Sequence, residues 1–309
     1  MAAAPVRRIV VTGANKGIGL AIVNRALADH VDTYCILACR SQARADAAVA
    51  SLIADNPSWR GRMEVLEMDT GSDASVTAAA ATLSKRHGTS PAPLYGIVNN
   101  AGIAAAAFED ILNVNVRGPR RVDTALIPLL DPKKGRIVVV ASGVGPMTVA
   151  KCSDERKAFF VNQSVTWTQI EALMAEMLAY PGGKNDLEAH GIGSGMGGYG
   201  VSKALANSYT MCCARENPNL LVNSCSPGLI ATDLFTDFMP FFVPSFIGRF
   251  LVQNLMPRLM GAKTTDEGSA STMFLLFSPD VGTGRYYGSD ARRSPLDVYR
   301  SAGSPVMED

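Results

Sequence analysis

Tyr199 and Lys203, in the run Tyr199-Gly-Val-Ser-Lys203, put a phenol and an ammonium four residues apart. On a helix, positions i and i+4 share a face, so the two groups can stand side by side. A neighbouring cation stabilises phenolate, and a tyrosine that ordinarily titrates near ~10 then exchanges its proton closer to neutrality. Alone the spacing is weak evidence, because solvated helix faces carry it too. Ser142 follows an apolar run at 136–141, which would bring its hydroxyl to the carboxyl edge of a sheet, where open α/β sheets place ligands. Capping a turn is the alternative use of that serine. Asn115, in Asn113-Val-Asn-Val-Arg-Gly118, falls within a helical stretch, where asparagine is unfavourable and a buried amide must bond water or backbone. Asn113 beside it is expected to be exposed. Hydroxyl, phenol, cation and amide together could polarise a carbonyl and deliver a proton as hydride arrives.

The elements that must position this set alternate regularly. Apolar runs at 8–12, 34–39, 63–68, 94–99, 136–141 and 220–225 lack in/out alternation, as strands covered on both faces do. Helical patterns lie at 16–29, 41–55, 73–87, 109–130, 199–216 and 266–277. The expectation is an α/β chain: a Rossmann-type, doubly wound parallel sheet with helices on both faces, as a single domain over 1–309. Two stretches break the rhythm. Residues 143–198 form a long insertion before Tyr199, amphipathic around 168–180 and then glycine-rich. Residues 234–261 are apolar and punctuated by Pro240, Pro244 and Pro257, and read as a substrate flap. The longest uncharged run there, 238–248, is far short of the ~20 apolar residues a bilayer span needs. An interfacial membrane contact or a packed insertion are the other readings of the flap.

Composition narrows the classes further. With 47% hydrophobic and 18% charged residues the chain is not disordered, and a net charge of +1 leaves no nucleic-acid footprint. Six cysteines without a CxxC pair and three histidines favour reduced, buried thiols over a zinc site. Residues 1–5 and Arg7-Arg8 lead straight into the first strand with no signal-peptide core, so a cytoplasmic location is expected.

The first strand runs into Thr12-Gly13-Ala14-Asn15-Lys16-Gly17-Ile18-Gly19, which opens a helix. Glycines there permit the tight turn and let backbone N–H groups approach a pyrophosphate at the helix N-terminus. At the end of the second strand, a carboxylate would bond the ribose 2′-hydroxyl of NAD. Cys39 holds that place, followed by Arg40, with Lys16 in the glycine loop; two cations and no carboxylate fit a 2′-phosphate, hence NADP(H), the other use of Arg40 being to cap a strand end on the surface. Asp69, followed by Thr70 after the third strand, could accept from an adenine amino group or close a turn. Asn99-Asn100-Ala101-Gly102 follows the fourth strand, where small residues let backbone lie against a ligand.

Taken in order, Thr12-Gly-x-x-x-Gly17-x-Gly19, Asn99-Asn-Ala-Gly102, Asn115, Ser142, Tyr199-x-x-x-Lys203 and Ser226-Pro-Gly228 with Thr232 resemble the short-chain dehydrogenase/reductase family over roughly residues 8–290. The likeness is strongest to its monomeric NADPH-dependent carbonyl reductases. These are similar in the Gly13-Ala-Asn-Lys-Gly17 loop, in an arginine at Arg40 and in the insertion between Ser142 and Tyr199. The resemblance implies hydride transfer between NADP(H) and a small-molecule carbonyl, with Tyr199 as general acid. Lys203 would lower its pKa and hold the nicotinamide ribose, Ser142 would bond the substrate oxygen, and Asn115 would anchor a relay water. Gly13, Asn15, Lys16, Gly17, Ile18, Gly19, Arg40, Asp69, Thr70, Asn100, Ala101 and Gly102 would line the cofactor, as would Tyr199 and Lys203. Pro227 and Gly228 would lie along the nicotinamide, with Thr232 on its carboxamide. The insertion would cover the helix used for dimerisation elsewhere in the family, implying a monomer. Two departures stand out: the segment 234–261 is longer than in simple carbonyl reductases, and Ala141 replaces a frequent second serine. The Phe and Met content of that segment suggests a bulky, apolar ketone, aldehyde or quinone. The alternatives are a membrane-associated retinoid or steroid dehydrogenase of the same family and a non-catalytic NADP(H)-binding regulator.

Overall fold

The computed structural model describes residues 6–194, 196–230 and 262–307. Thr232 and the flap at 234–261 lie outside the described residues. The strands are β1 (Arg7–Thr12), β2 (Thr33–Cys39), β3 (Met63–Glu67), β4 (Leu94–Asn99), β5 (Arg136–Val140), β6 (Leu221–Cys225) and β7 (Arg285–Tyr287). All are parallel, in one sheet of order β3-β2-β1-β4-β5-β6-β7. Strand order reverses between β1 and β4, and at such a switch point the connections diverge and leave a crevice beyond the carboxyl ends.

Burial on both faces explains the unbroken apolar strands. Ile9, Val11 and Leu37 pack with α1 (Gly17–Asp29), α2 (Gln42–Asp55) and α10 (Thr265–Phe277). Val10, Ile36 and Ile97 pack with α3 (Asp73–His87), α5 (Gly118–Leu126) and α9 (Gly197–Glu216) on the other side. Successive strand residues point to opposite faces, so each face needs its own apolar set. The short β7 lies beyond the six runs visible in the sequence.

The insertion at 143–198 folds as α6 (Val144–Ala150), α7 (Asp154–Val161) and α8 (Trp167–Leu178). A reciprocal cap between Thr166 and Gln169 starts α8, whose Ile170, Leu173, Met174 and Met177 join the core around α9. Covered on this side as well as by the sheet, α9 is buried from Gly198 to Ala214 and has no solvent stripe. All six cysteines are free and buried. Among the described residues no helix is long and apolar enough to cross a membrane.

The expected helix at 109–130 is instead α4 (Phe108–Leu112), a π-helical turn Asn113–Arg117, α5, and a short 3₁₀ turn Ile127–Leu129. The reason is readable in Pro119. An α-helix would need its N–H for the carbonyl of Asn115, and proline has none to give. A wider turn at that point is the local solution, and such turns recur at functional sites.

Candidate active site

Tyr199 stands in the first turn of α9 and Lys203 one turn on, with 7% and 5% of their surface exposed. The Lys203 ammonium lies 5.6 Å from the centre of the Tyr199 ring and donates to the carbonyl of Val140, at the end of β5, at 2.9 Å. Ser142 follows two residues later, half-buried, and its hydroxyl hydrogen-bonds the Tyr199 phenol. These three groups therefore meet at the carboxyl edge of the sheet. The phenol is not brought toward neutrality. Burial pushes Tyr199 up to about 12, only partly opposed by the Ser142 bond, and burial pulls Lys203 down to about 8. Desolvation overrides the attraction expected from the spacing, because the ammonium is directed at a backbone carbonyl rather than at the phenol oxygen.

Asn115 is 2% exposed and sits in the π-helical turn. Its Nδ2 donates to the carbonyl of Ile103 at 2.8 Å and to Ser202 Oγ at 3.0 Å, while Oδ1 accepts the Ile103 N–H at 2.9 Å. Ser202 in turn donates to the carbonyl of Tyr199 at 2.8 Å. The amide thus ties the loop after β4 to the first turn of α9. Asn113 is half-buried rather than exposed: its Nδ2 donates to Gly71 O at 3.1 Å, and Arg121 donates to its Oδ1 at 2.9 Å. The wider turn swings it toward the end of β3.

At the other end of the crevice, Gly13 and Gly17 adopt φ of 67° and 57°, the left-handed region that glycine enters without strain. The first turn of α1 has neither a side-chain cap nor an acidic residue, so its N–H groups are available to an anion. Asn15 and Ile18 are half-buried along this loop, Gly19 is buried, and Lys16 in the loop and Arg40 after β2 are exposed. The Cys39 thiol faces the backbone N–H groups of Ala14 and Asn15, and burial raises its pKa. A small neutral group therefore stands where a ribose-binding carboxylate would be. Asp69 is half-buried and accepts the Gly71 N–H at 2.9 Å, while the carbonyl of buried Thr70 takes a bond from Arg121 at 2.7 Å.

The two ends are joined by Asn100-Ala101-Gly102. Asn100 donates from Nδ2 to the carbonyl of Thr12 at 2.8 Å. A Cβ added to Gly102 would stand 3.2 Å from Asn115 Oδ1 and 3.5 Å from Lys203 Nζ, so this backbone runs between the amide and the ammonium. Glycine turn, uncapped helix start, flanking cations and close backbone fit a pyrophosphate-bearing dinucleotide. Pro227 and Gly228 follow β6 on the far side.

Three further residues build the site. Thr12 Oγ1 accepts the N–H of both Asn100 and Ala101 at 3.0 Å and binds β1 to β4 at the crevice. Ser226 Oγ accepts Gly143 N at 2.9 Å and Gly228 N at 3.1 Å, joining the loops after β5 and β6. Ser202 completes the Asn115 brace. Thr12 and Ser226 open recognisable motifs, which was the signal available for them.

Comparison with known proteins supplies the family. A family model for short chain dehydrogenases matches residues 7–154. The chain is 30% identical over 292 residues to carbonyl reductase [NADPH] 3 of Rattus norvegicus, across 90% of this chain and 93% of that one. It is 32% identical over 244 residues to carbonyl reductase [NADPH] 1 of Sus scrofa, across 74% and 80%. Salutaridine reductase from Papaver somniferum superposes with a TM-score of 0.72 at 24% identity, covering 91% of this chain and 99% of that one. NADPH-bound carbonyl reductase from chicken fatty liver gives 0.60 at 21% identity, over 94% and 99%. At these identities the structural likenesses speak to the fold alone.

Proposed function

Since the chain belongs to the short-chain dehydrogenase/reductase family, we propose that it is an NADPH-dependent carbonyl reductase acting on bulky, apolar ketones, aldehydes or quinones. The Ser142–Tyr199 hydrogen bond beside Lys203, at the carboxyl edge of the sheet, carries this reading. Relatives named carbonyl reductase [NADPH] at about a third identity support it. NADPH would supply the hydride. The loop Gly13–Gly19 and the start of α1 would hold its pyrophosphate, Lys16 and Arg40 its 2′-phosphate, Asp69 and Thr70 its adenine end, and Asn100, Ala101, Gly102, Pro227 and Gly228 its nicotinamide end.

Tyr199 holds its proton at neutral pH, because burial keeps its pKa at about 12, and that is the form a donor needs. The substrate oxygen takes a hydrogen bond from Ser142 and the proton from Tyr199. Lys203 is predominantly charged below about pH 8 and stabilises the phenolate left behind. Asn115 has given both amide hydrogens to its brace. Its main-chain carbonyl, which Pro119 cannot serve as a helical donor, is the atom best suited to take a relay water. The insertion packed on α9 supports a monomer.

The test is NADPH oxidation with a panel of carbonyls, repeated with NADH. NADPH is expected to be favoured strongly, and Arg40→Ala to raise KM for NADPH by about 10- to 100-fold, the size of one charge-assisted phosphate bond, while leaving NADH unaffected. Equal use of the two cofactors would overturn the assignment of Arg40 and Lys16.

A further inference from the structure

The chain beyond β7 turns back toward the reaction edge. Tyr287 pairs antiparallel with Arg293, the Ser294 N–H donates to Tyr286 O at 3.0 Å, and the Gly288 N–H donates to Arg292 O at 2.8 Å. This return is locked by Arg300, whose side chain is nearly buried. Its Nη2 pairs with the Asp290 carboxylate, Nε donates to Ser294 Oγ at 2.9 Å, and Nη1 donates to Ser304 O at 2.9 Å. Asp290 Oδ2 also accepts the Gly303 N–H at 3.0 Å. Weaker contacts reach the carbonyls of Ser301 at 3.4 Å and Arg292 at 3.5 Å, so this nearly buried guanidinium is a directional clamp that makes the path of residues 288–304 specific.

The neighbour of that clamp is Tyr299. Its ring lies so close to Gly143 that a Cβ added there would stand 2.7 Å from Cε2 and 3.2 Å from Cδ2. Gly143 directly follows Ser142, and through Ser226 Oγ it is tied to Gly228. Tyr299 therefore stands where the loop carrying Ser142 meets the loop carrying Pro227 and Gly228. Despite that contact it is 46% exposed, a large aromatic surface left at the mouth of the crevice. Packing against Gly143 alone would be served by any aliphatic residue and needs no buried clamp next to it.

We propose that Tyr299 is a specificity-determining wall of the substrate pocket, its ring packing against the apolar or aromatic body of the carbonyl compound, with the Arg300–Asp290 clamp as its positioning device. The proposal rests on the reductase reading above. In it, Ser142 and Tyr199 hold the carbonyl oxygen while Tyr299 meets the part of the substrate farther from the reacting atom. Ring contacts of this kind discriminate by size and aromaticity more than by chemistry.

The experiment is Tyr299→Ala assayed with NADPH against carbonyls from a short aliphatic aldehyde to bicyclic aromatic ketones and quinones. KM for the bulky aromatic members should rise about 5- to 20-fold, with kcat for the short aldehyde and KM for NADPH within about twofold of the parent. Tyr299→Phe keeps the ring and should keep the parent profile. Arg300→Met should reproduce the pattern of Tyr299→Ala, and the double variant should add nothing to it, as coupled residues do. A uniform loss across the panel, an unchanged profile, or a Phe variant as impaired as the Ala variant overturns the wall. If the parent protein oxidises NADPH with no member of the panel, the reductase reading has failed, and this inference falls with it.

Discussion

Tyr199 and Tyr209 are buried on the same helix, yet their surroundings have opposite electrical sense. Tyr199 meets the Ser142 hydroxyl and has the Lys203 ammonium over its ring. Tyr209 donates to the Asp123 carboxylate at 2.6 Å, and the other oxygen of Asp123 accepts from Asn99 Nδ2 at 2.8 Å. Burial and that carboxylate hold the Tyr209 phenol well above its usual range. A phenolate at position 199 would face a cation, whereas one at 209 would face a second anion. On the proposed reading, the same side chain is thus a reagent at one end of α9 and a fastener at the other. The fastener joins the end of β4, next to Asn100-Ala101-Gly102, to α5 and α9.

The sharpest way to break the comparison is at Tyr199. Tyr199→Phe removes the transferable proton and should lower kcat by roughly 10²- to 10⁴-fold, the usual range for a positioned acid. Unfolding midpoint and NADPH affinity should hardly move. Retention of activity within a factor of ten would mean that another group donates the proton.

Tyr209→Phe should do the reverse. The ring keeps its edge contact with Trp167, 5.8 Å between centroids, but Asp123 loses a donor in a buried site. An under-satisfied buried acceptor costs about 1–3 kcal/mol, to be read in urea unfolding, with kcat per folded molecule unchanged. A large fall in kcat at unaltered stability would make position 209 part of the chemistry and dissolve the contrast.

The reagent end was far easier to read from the sequence than the fastener. Tyr199 and Lys203, like Gly13 to Gly19, lie within a few residues of one another, so their spacing carries the information. The six long strands were equally legible, since burial on both faces writes itself as an unbroken apolar run. Asp123 carries no such local signal. Its partners Asn99 and Tyr209 lie 24 and 86 residues away, and only the fold brings them together. The three residues of β7 are too few to show a pattern, and the contact of Tyr299 with Gly143 depends on a return of the chain that no local spacing announces. Asn115 is the intermediate case. An amide within a helical stretch signals its burial, whereas the π-helical turn is signalled only by Pro119. Spacing reveals the charge near Tyr199 and conceals the depth of its burial, so the phenol lies above its usual range rather than below it.

The smallest effect concerns Asp123 itself, and its sign follows from burial. Desolvation pushes this carboxyl up from 3.8 to about 7 despite the hydrogen bonds from Tyr209 and Asn99. Between those values the folded chain holds a proton that the unfolded chain has released. Stability from this group is therefore complete below about pH 4, declines as pH rises through the window, and is fully lost above about pH 7. Asn in its place carries no titrating proton. Tyr209 can turn its hydroxyl to accept from the new amide, with the carbonyl of Pro119 at 3.5 Å as its own acceptor. Asp123→Asn should therefore gain stability relative to the parent as pH is raised from about 5 to 8, by on the order of 1–2 kcal/mol once relaxation is allowed for. Unfolding curves at several pH values give the slope directly. Parallel slopes for the two proteins would mean that Asp123 is ionised in the fold, and that Tyr209 faces a full negative charge rather than a shared proton.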